Sequence, residues 1–438
     1  MEINPVKGTH DIIADEANLY SMIENTAMGI ASSFGYKEIR TPIIEHTPLF
    51  LRSVGESSDI VNKEMYTFDD KGGRSITLRP ELTAGIMRSI VTNKLYANVD
   101  LPLKYRYVGP CFRYERPQAG RYRQFNQFGV EAIGAPSIFQ DAEVISLGQR
   151  ILYTIGIGEV KVLINSLGDE ESRKAYKEAL REYFSKHIDK MCSDCKRRLE
   201  VNPLRILDCK VPEDIEIVKN APKMSDYLSP ESKAYLQGVI ALLNRIGIET
   251  ELDPNLVRGL DYYTGVVFEY HFSSKEEGIE NVGALGGGGH YANLLEEVGG
   301  PSLEGVGLAF GIERLAYIVK AVLKVNTGFG PDFYLMGMND EIIEQNFVLA
   351  DMIRSNGFSV EMNYATKSMG SLFKTASKKG AKFAIIVGEN EVANKEVAVK
   401  NLKTQTQTLV KLDELDSVLH SLIEKYYSDI ELTSEEEQ

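Results

Sequence analysis

The stretch that decides the fold runs from Tyr105 to Glu131 and reads YRYVGPCFRYERPQAGRYRQFNQFGVE. It opens with a strand-like run, breaks at a polar loop holding Pro117 and Gly120, and then runs extended again, the pattern of a hairpin with a longer loop. Side chains alternate faces along a strand. Arg113 and Glu115 therefore share a face of the first strand, and Arg123, Phe125, Gln127, Gly129 and Glu131 share a face of the second. If the two faces coincide, one surface carries cations, a ring, an amide, carboxylates and a glycine gap. Polar groups at this density need partners, and a bound polar ligand supplies them. Guanidinium forks suit phosphate oxygens. A ring such as Phe125 can stack on a planar base. Gln127 and Glu131 can hold an amine or imidazole. The combination describes a nucleotide beside an amino acid. The alternative is a basic surface hairpin whose arginines are solvated and paired with Glu115.

Working outward, residues 16–34 place Leu19, Met22, Ile23, Ala27, Ile30, Ala31 and Phe34 at helical spacing, and Gly35 stops the helix. The run YKEIRTPI (36–43) is short and extended, and Pro42, which cannot donate to a ladder, marks a strand edge or end. Met65–Phe68 and Ser75–Leu78 flank DDKGG (69–73) as a second hairpin. A helix then runs to Asn93 with Pro80 and Glu81 at its start, where the helix dipole favours an acid. Downstream, Asp141–Ile155 reads as a helix and Val160–Asn165 as a strand.

From about 168 to 252 the chain is helix-rich, charged and without strand alternation, which marks an insertion. It holds Cys192-x-x-Cys195 and, further on, Cys209, a partial zinc pattern. His187 is near, but no fourth ligand has clean spacing. The expectation is buried thiols and no metal held by the protein's cysteines, with Cys111 a packing residue. LVRGLDYYTG (256–265) precedes a strand at Val266–Phe272 and is either a pocket loop or a tyrosine-rich turn packed on the sheet. GGGGHY (286–291) leads into a helix, its glycines giving close backbone approach to a ligand or a mobile turn. GVGLAFGIERL (305–315) is a strand entering a helix with Arg314 in the first turn. A cation there opposes the dipole, which a bound anion relieves, or a salt bridge to an acid such as Glu313.

Gly328 and Gly330 mark a linker. Beyond it, strands at Asp332–Met336, Val360–Met362, Phe383–Val387 and Val397–Asn401, with helices at Glu341–Asn356 and Ser368–Lys378, give a βαβαβ order and an α/β domain. Lys367, Lys374, Lys378, Lys379 and Lys382 can meet phosphates or form a solvated face. The acidic tail from Asp429 to Gln438 reads as a frayed end.

The 438 residues suffice for two or three domains, and 43% hydrophobic with 26% charged residues is ordinary for a globular protein. No apolar run reaches membrane-spanning length and the start MEINPVKGTH has no apolar signal core, so a cytoplasmic location without a membrane partner is expected. Four cysteines in this length argue against a disulfide framework. The net charge of −14 does not exclude nucleic acid, because phosphate binding needs a local patch and Lys104–Arg123 holds six basic residues against one acid. There is no GxxxxGK[ST], no strand-adjacent GxGxxG, no HExxH, and the six histidines form no ligand cluster. A P-loop NTPase, a dinucleotide-binding dehydrogenase and a zinc hydrolase are therefore poorly supported.

FRYERPQ (112–118) followed by RYRQF (121–125) resembles motif 2 of the class II aminoacyl-tRNA synthetases, and of the histidyl-tRNA synthetase family in particular. The helix before Gly35 with the strand around Pro42 resembles motif 1, and the Arg314 segment resembles motif 3. The Arg258 and Tyr291 segments resemble two histidyl signatures. The family usually has Arg-Tyr-Asp where this chain has His290-Tyr291-Ala292, and often Gly where it has Leu82.

The resemblance implies an α+β fold: a class II antiparallel sheet flanked by helices over 1–326, with the helical insertion, and an α/β anticodon-binding domain over 330–438. It implies histidine–tRNA ligase activity, with L-histidine, ATP with Mg²⁺ and tRNA(His) as partners, a homodimer built through motif 1, no prosthetic group and no DNA. Histidine is then held by Glu81, Thr83, Arg113, Gln127, Glu131, Arg258, Tyr262, Tyr263 and Tyr291. ATP is held by Arg113, Glu115, Arg121, Phe125 and Arg314, with Arg113 and Arg258 catalytic. Arg116 and Gln118 meet the tRNA acceptor end. The rival on the same fold is a histidine-sensing regulatory subunit of an ATP phosphoribosyltransferase, which is expected to lack the ATP arginines and the C-terminal domain. Two further rivals are a class II synthetase for another amino acid and an accessory tRNA-binding protein.

Overall fold

The computed structural model describes residues 3–55, 58, 60–116, 120–272, 283–323 and 330–435. The chain divides into two compact units, Met1–Val325 and Asn326–Gln438. The first opens with α1 (Asp15–Ser33), which buries Leu19, Ile23, Ala27 and Ala31 at helical spacing and ends at Gly35 with φ +85°. Next comes β1 (Lys37–Glu38), then a small three-stranded sheet of β2 (Ile44–His46), β3 (Tyr66–Asp69) and β4 (Ser75–Leu78), with α2 (Thr47–Val54) inside it. Pro42 lies between β1 and β2, outside any ladder. α3 (Thr83–Thr92) leads into the long hairpin of β5 (Leu103–Phe112) and β6 (Gln124–Ile133), followed by α4 (Ile138–Thr154) and β7 (Val160–Ser166).

Four helices come next: α5 (Glu170–Ser185), α6 (Ser193–Val201), α7 (Pro212–Val218) and α8 (Pro230–Arg245). Short 3₁₀ turns separate them, and Tyr176, Leu180, Phe184, Ile206 and Met224 share a core of their own. The 168–252 stretch is not wholly free of strand: β8 (Thr250–Leu252) adds to the edge of β7 in parallel. β9 (Thr264–Phe272), β10 (Ala284–Tyr291), α9 (Leu294–Glu297), β11 (Gly305–Gly311) and α10 (Ile312–Leu323) complete the unit. The main sheet has the order β1-β5-β6-β11-β10-β9-β7-β8, antiparallel except at its two edges. One face is covered by α1, α4, α8 and α10, whose apolar side chains join Phe128, Val130, Phe268, Tyr270 and Leu308 in the largest core.

The glycine run departs from expectation. Gly286–Gly289 is neither a turn nor a helix lead-in but the middle of β10, paired on both sides. Glycine weakens a strand, yet here the neighbouring strands leave no room for anything else. A Cβ on Gly288 would lie 1.8 Å from the Gly307 carbonyl oxygen, and one on Gly287 would lie 2.4 Å from that of Phe268. Only a four-residue helix, α9, follows.

In the second unit, β12 (Phe333–Met336), α11 (Asp340–Ser355), β13 (Val360–Met362), α12 (Met369–Lys378), β14 (Phe383–Ile386), α13 (Glu389–Asn394), β15 (Glu396–Asn401), β16 (Gln407–Lys411) and α14 (Leu415–Glu435) form a five-stranded mixed sheet with flanking helices. The order is β13-β12-β14-β15-β16, with the first three strands parallel. The backbone from Asp429 to Glu435 continues α14, and the remainder of the acidic tail lies outside the described residues. Lys379 pairs with Glu361 at 2.5 Å and Lys382 with Asp332 at 2.5 Å, while Lys367, Lys374 and Lys378 are exposed. Gly328 lies outside the described residues.

Candidate functional site

The open face of the main sheet carries a cleft of 410 Å³, the size of a small-molecule site. At its floor is Glu131 on β6, only 1% exposed. Thr83 Oγ1 and Tyr107 OH donate to Glu131 Oε1 at 2.8 Å each, and Tyr291 OH donates to Oε2 at 2.8 Å. Every partner is a hydroxyl, and among the described residues no cation pairs with this carboxylate. Burial pushes its pKa up to about 7 even though the three hydroxyls pull it down. Two glycines make the space: a Cβ on Gly307 would lie 2.1 Å from Glu131 Oε2, and one on Gly129 would lie 2.3 Å from Tyr107 OH. The gap at Gly129 is filled by Tyr107, a residue the sequence reading did not single out. Its position opposite Gly129 in the β5–β6 register was the signal available.

Tyr262, Tyr263 and Tyr291 wall the same end. The Tyr262 ring lies 4.6 Å from that of Tyr263 and 5.9 Å, edge-on, from that of Tyr291. Glu81 caps α3, accepting from the amides of Thr83 at 2.6 Å and Ala84 at 2.8 Å, and also lines the cleft. The dipole reading of Glu81 and its place in the cleft thus hold together. Burial raises its pKa against those amide bonds and the nearby Arg113. Leu82 is buried against Ile86, Met87 and Tyr107 in a second core.

Arg113, Arg258 and Arg314, 56 or more residues apart between the last two and further between the ends, line this one cleft with Arg121. The Arg113 guanidinium lies 5.2 Å from the Phe125 ring centroid, and its Nε donates to the Pro80 carbonyl at 2.8 Å. Arg258 pairs with Glu269, lies 5.8 Å from the Tyr263 ring, and has a buried Nε without a hydrogen-bond partner among the described residues. Gly287 gives it room, since a Cβ there would lie 3.0 Å from Arg258 Nη1. Arg314 donates to the Ala284 carbonyl and, among the described residues, forms no salt bridge. Glu313 does not neutralise it: that carboxylate accepts from the Asn126 amide at 2.8 Å. Burial, and then the neighbouring Arg121, lower the Arg314 pKa to about 10. Arg314 lies in the first turn of α10, and Arg121 of the hairpin loop lines the same cleft.

Gln127, Glu115 and Phe125 also line the cleft, with Glu115 3.9 Å from Arg121 and Gln127 accepting from Cys111 Sγ at 3.4 Å. Arg123 does not join its expected face. It precedes β6, stacks 3.8 Å over Tyr114 and reaches the Lys7 carbonyl. Arg116 is exposed on the hairpin loop and does not line the cleft, and Gln118 lies outside the described residues. Sequence reasoning missed Arg205, which comes from the insertion to line the cleft and donates to Asp261 and Gly259. No local signal marked it.

Tyr291 has a neighbour with the opposite fate. His290 points to the other face of β10, where Nε2 lies 2.7 Å from Glu304 and Nδ1 lies 3.3 Å from Asp141. The departures from the family pattern at His290 and Ala292 therefore lie outside the cleft, in a separate hollow that both residues line.

The family model described as Histidyl-tRNA synthetase matches residues 8–315, and the one described as Anticodon binding domain matches 332–422. A histidine–tRNA ligase of Bacillus velezensis is 49% identical over 416 residues, covering 94% of this chain and 97% of that one. One of Bacillus subtilis is 48% identical, covering 96% and 99%. The crystal structure of apo Staphylococcus aureus histidyl-tRNA synthetase superimposes with a TM-score of 0.78 at 39% identity, covering 95% of this chain and 100% of that one.

Proposed function

The chain belongs to the histidyl-tRNA synthetase family and acts as a histidine–tRNA ligase, and we propose how its residues divide that work. L-Histidine enters with its imidazole toward Glu131, whose buried carboxylate, met only by hydroxyls among the described residues, is the observation that carries the reading. Tyr262, Tyr263 and Tyr291 enclose the ring, Gln127 supports it, and Glu81 and Thr83 take the α-amino group. ATP lies along the arginine side, with adenine at Phe125 and Glu115 and the phosphates at Arg121 and Arg314. A carboxylate oxygen of histidine attacks the α-phosphorus, the bond to the bridging oxygen breaks, and pyrophosphate leaves. Arg113 and Arg258 neutralise the α-phosphate as charge builds, so catalysis is positioning and electrostatics without a protein nucleophile. A terminal ribose hydroxyl of tRNA(His) then takes the acyl group and AMP leaves.

Mg²⁺ arrives with ATP and supplies further neutralisation of the phosphates. Glu313 would hold it, since it lines the cleft beside Arg314 and its Oε2 is buried without a hydrogen-bond partner among the described residues. Arg116 and Gln118 receive the acceptor end, and the 330–438 domain, through Lys367, Lys374 and Lys378, receives the anticodon stem. The protein works as a homodimer joined through the motif 1 elements in the cytoplasm. No helix among the described residues is long and apolar enough to cross a membrane.

Amino-acid-dependent ATP–pyrophosphate exchange, run over a panel of amino acids, tests the reading. Exchange with histidine alone is expected. Exchange driven by another amino acid reassigns the pocket, and none at all returns the regulatory-subunit or accessory reading.

A further inference from the structure

The insertion holds a second convergence of chemical groups, remote in kind from the cleft. Cys192 caps the N-terminus of α6 and Cys195 lies in its first turn. Cys209 closes the 3₁₀ turn Pro203–Asp208, and Asp214 lies in the first turn of α7. Three thiols and one carboxylate, from three short elements, bring their ligand atoms within 4.8 Å of one another. The Cys192 and Cys209 sulfurs are 4.0 Å apart, and Cys209 Sγ is 3.2 Å from Asp214 Oδ2. A disulfide needs sulfurs about 2.05 Å apart. A tetrahedral ion with metal–sulfur bonds of about 2.3 Å needs them about 3.8 Å apart. The Cys192–Cys209 spacing excludes a disulfide and is close to that of a metal site.

We propose that Cys192, Cys195, Cys209 and Asp214 bind a structural Zn²⁺ ion. Asp214 is the fourth ligand that the spacing of the cysteines did not reveal, and it takes the place considered for His187. It is 1% exposed and, among the described residues, forms no salt bridge. A buried carboxylate without a countercharge is costly, and a divalent cation removes that cost. The closed, sulfur-rich donor set selects zinc over magnesium or calcium. Backbone amides complete an outer layer: Cys192 N donates to both Asp214 oxygens at 3.2 Å, and Cys195 N donates to Cys192 Sγ at 3.4 Å. Such contacts orient ligands in metal sites.

The site has a structural task. The insertion is built from short helices and 3₁₀ turns around a small core, the situation in which a metal substitutes for apolar burial. The turn between Cys195 and Cys209 carries Arg205, whose Nε is 3.2 Å and Nη2 3.1 Å from Asp261 Oδ1 and which also meets the Gly259 carbonyl. The ion therefore fixes the turn that braces the loop bearing Arg258 and Tyr262.

The test uses the full chain, purified without chelator and analysed for metals by mass spectrometry. One zinc per chain is expected, at least tenfold less in Cys195→Ser and in Cys209→Ser, and an unchanged content in Cys111→Ser. Titration of the native wild type with a mercurial is expected to release the zinc, which covers variants that fail to fold. Cobalt-exchanged wild type is expected to show the thiolate-to-cobalt charge-transfer and tetrahedral ligand-field bands, and Asp214→Cys is expected to keep the ion. Protein purified without zinc and with four free thiols, a Cys192–Cys209 disulfide, or full zinc in Cys209→Ser each overturns the proposal.

Discussion

Two consecutive residues of β10 face opposite ways and end in opposite electrostatic surroundings. Tyr291 turns into the cleft, where it meets Glu131, a buried carboxylate served only by hydroxyls. His290 turns away from it, where both ring nitrogens meet carboxylates, Asp141 and Glu304. Burial opposes the charged imidazole, but the two carboxylates outweigh it and raise its pKa to about 9. The second arrangement puts a cation between two carboxylates inside the protein. The first lines the cleft, and among the described residues hydroxyls alone, with no cation, meet its carboxylate. The difference separates a polar group kept for structure from one kept for a ligand, and burial alone does not reveal it.

Substitutions sharpen this contrast. The largest effect is expected at Arg258→Ala, where pyrophosphate exchange falls about 10³-fold, the upper range for losing one group that stabilises transition-state charge. Circular dichroism is expected to remain unchanged. Glu131→Gln is expected to lower kcat/KM for histidine about 100-fold, the scale of a lost charged hydrogen bond, without lowering Tm at pH 8. His290→Ala is expected to do the reverse. It leaves Asp141 buried without its cation, at about 3 kcal/mol in chemical denaturation, while exchange activity stays within about threefold. Loss of activity at His290 with full stability would erase the distinction.

The smallest effects are in pH. His290 has a folded pKa raised from 6.5 to about 9. Its stabilisation is complete below about pH 6.5 and is lost as pH rises through about 9. The decline in Tm across that window is expected to flatten in His290→Ala. Glu131 also has a raised folded pKa, from 4.5 to about 7. Its ionisation therefore lowers the stability of the empty protein as pH rises through that range, and the carboxylate that accepts an imidazole N–H is depleted below about 7. The KM for histidine is expected to rise as pH falls from 8 to 6, and to rise less in Glu131→Gln.

Much of this was legible in the sequence, for a physical reason. A period of two sorted Phe125, Gln127 and Glu131 to one face of β6, and hairpin turns and helix stops set the register around them. What escaped depended on contacts across the fold. Tyr107 matters because a glycine faces it on the next strand. Arg205 and Asp214 act through an insertion whose short helices carry no strong periodicity. Gly286–Gly289 reads locally as a breaker, and only the close approach of β9 and β11 makes it a strand. In the second unit β16 is almost entirely exposed, so it lacks alternation. By contrast, Leu415, Val418, Leu419 and Leu422 carried a helical spacing that was there to be read.

The most direct measurement is a crystal structure of this chain with a non-hydrolysable histidyl-adenylate analogue. The account predicts an imidazole nitrogen within hydrogen-bonding distance of Glu131, the phosphate mimic between Arg113 and Arg258, and adenine near Phe125. An imidazole bound away from Glu131, or a phosphate mimic touched by neither arginine, would contradict it.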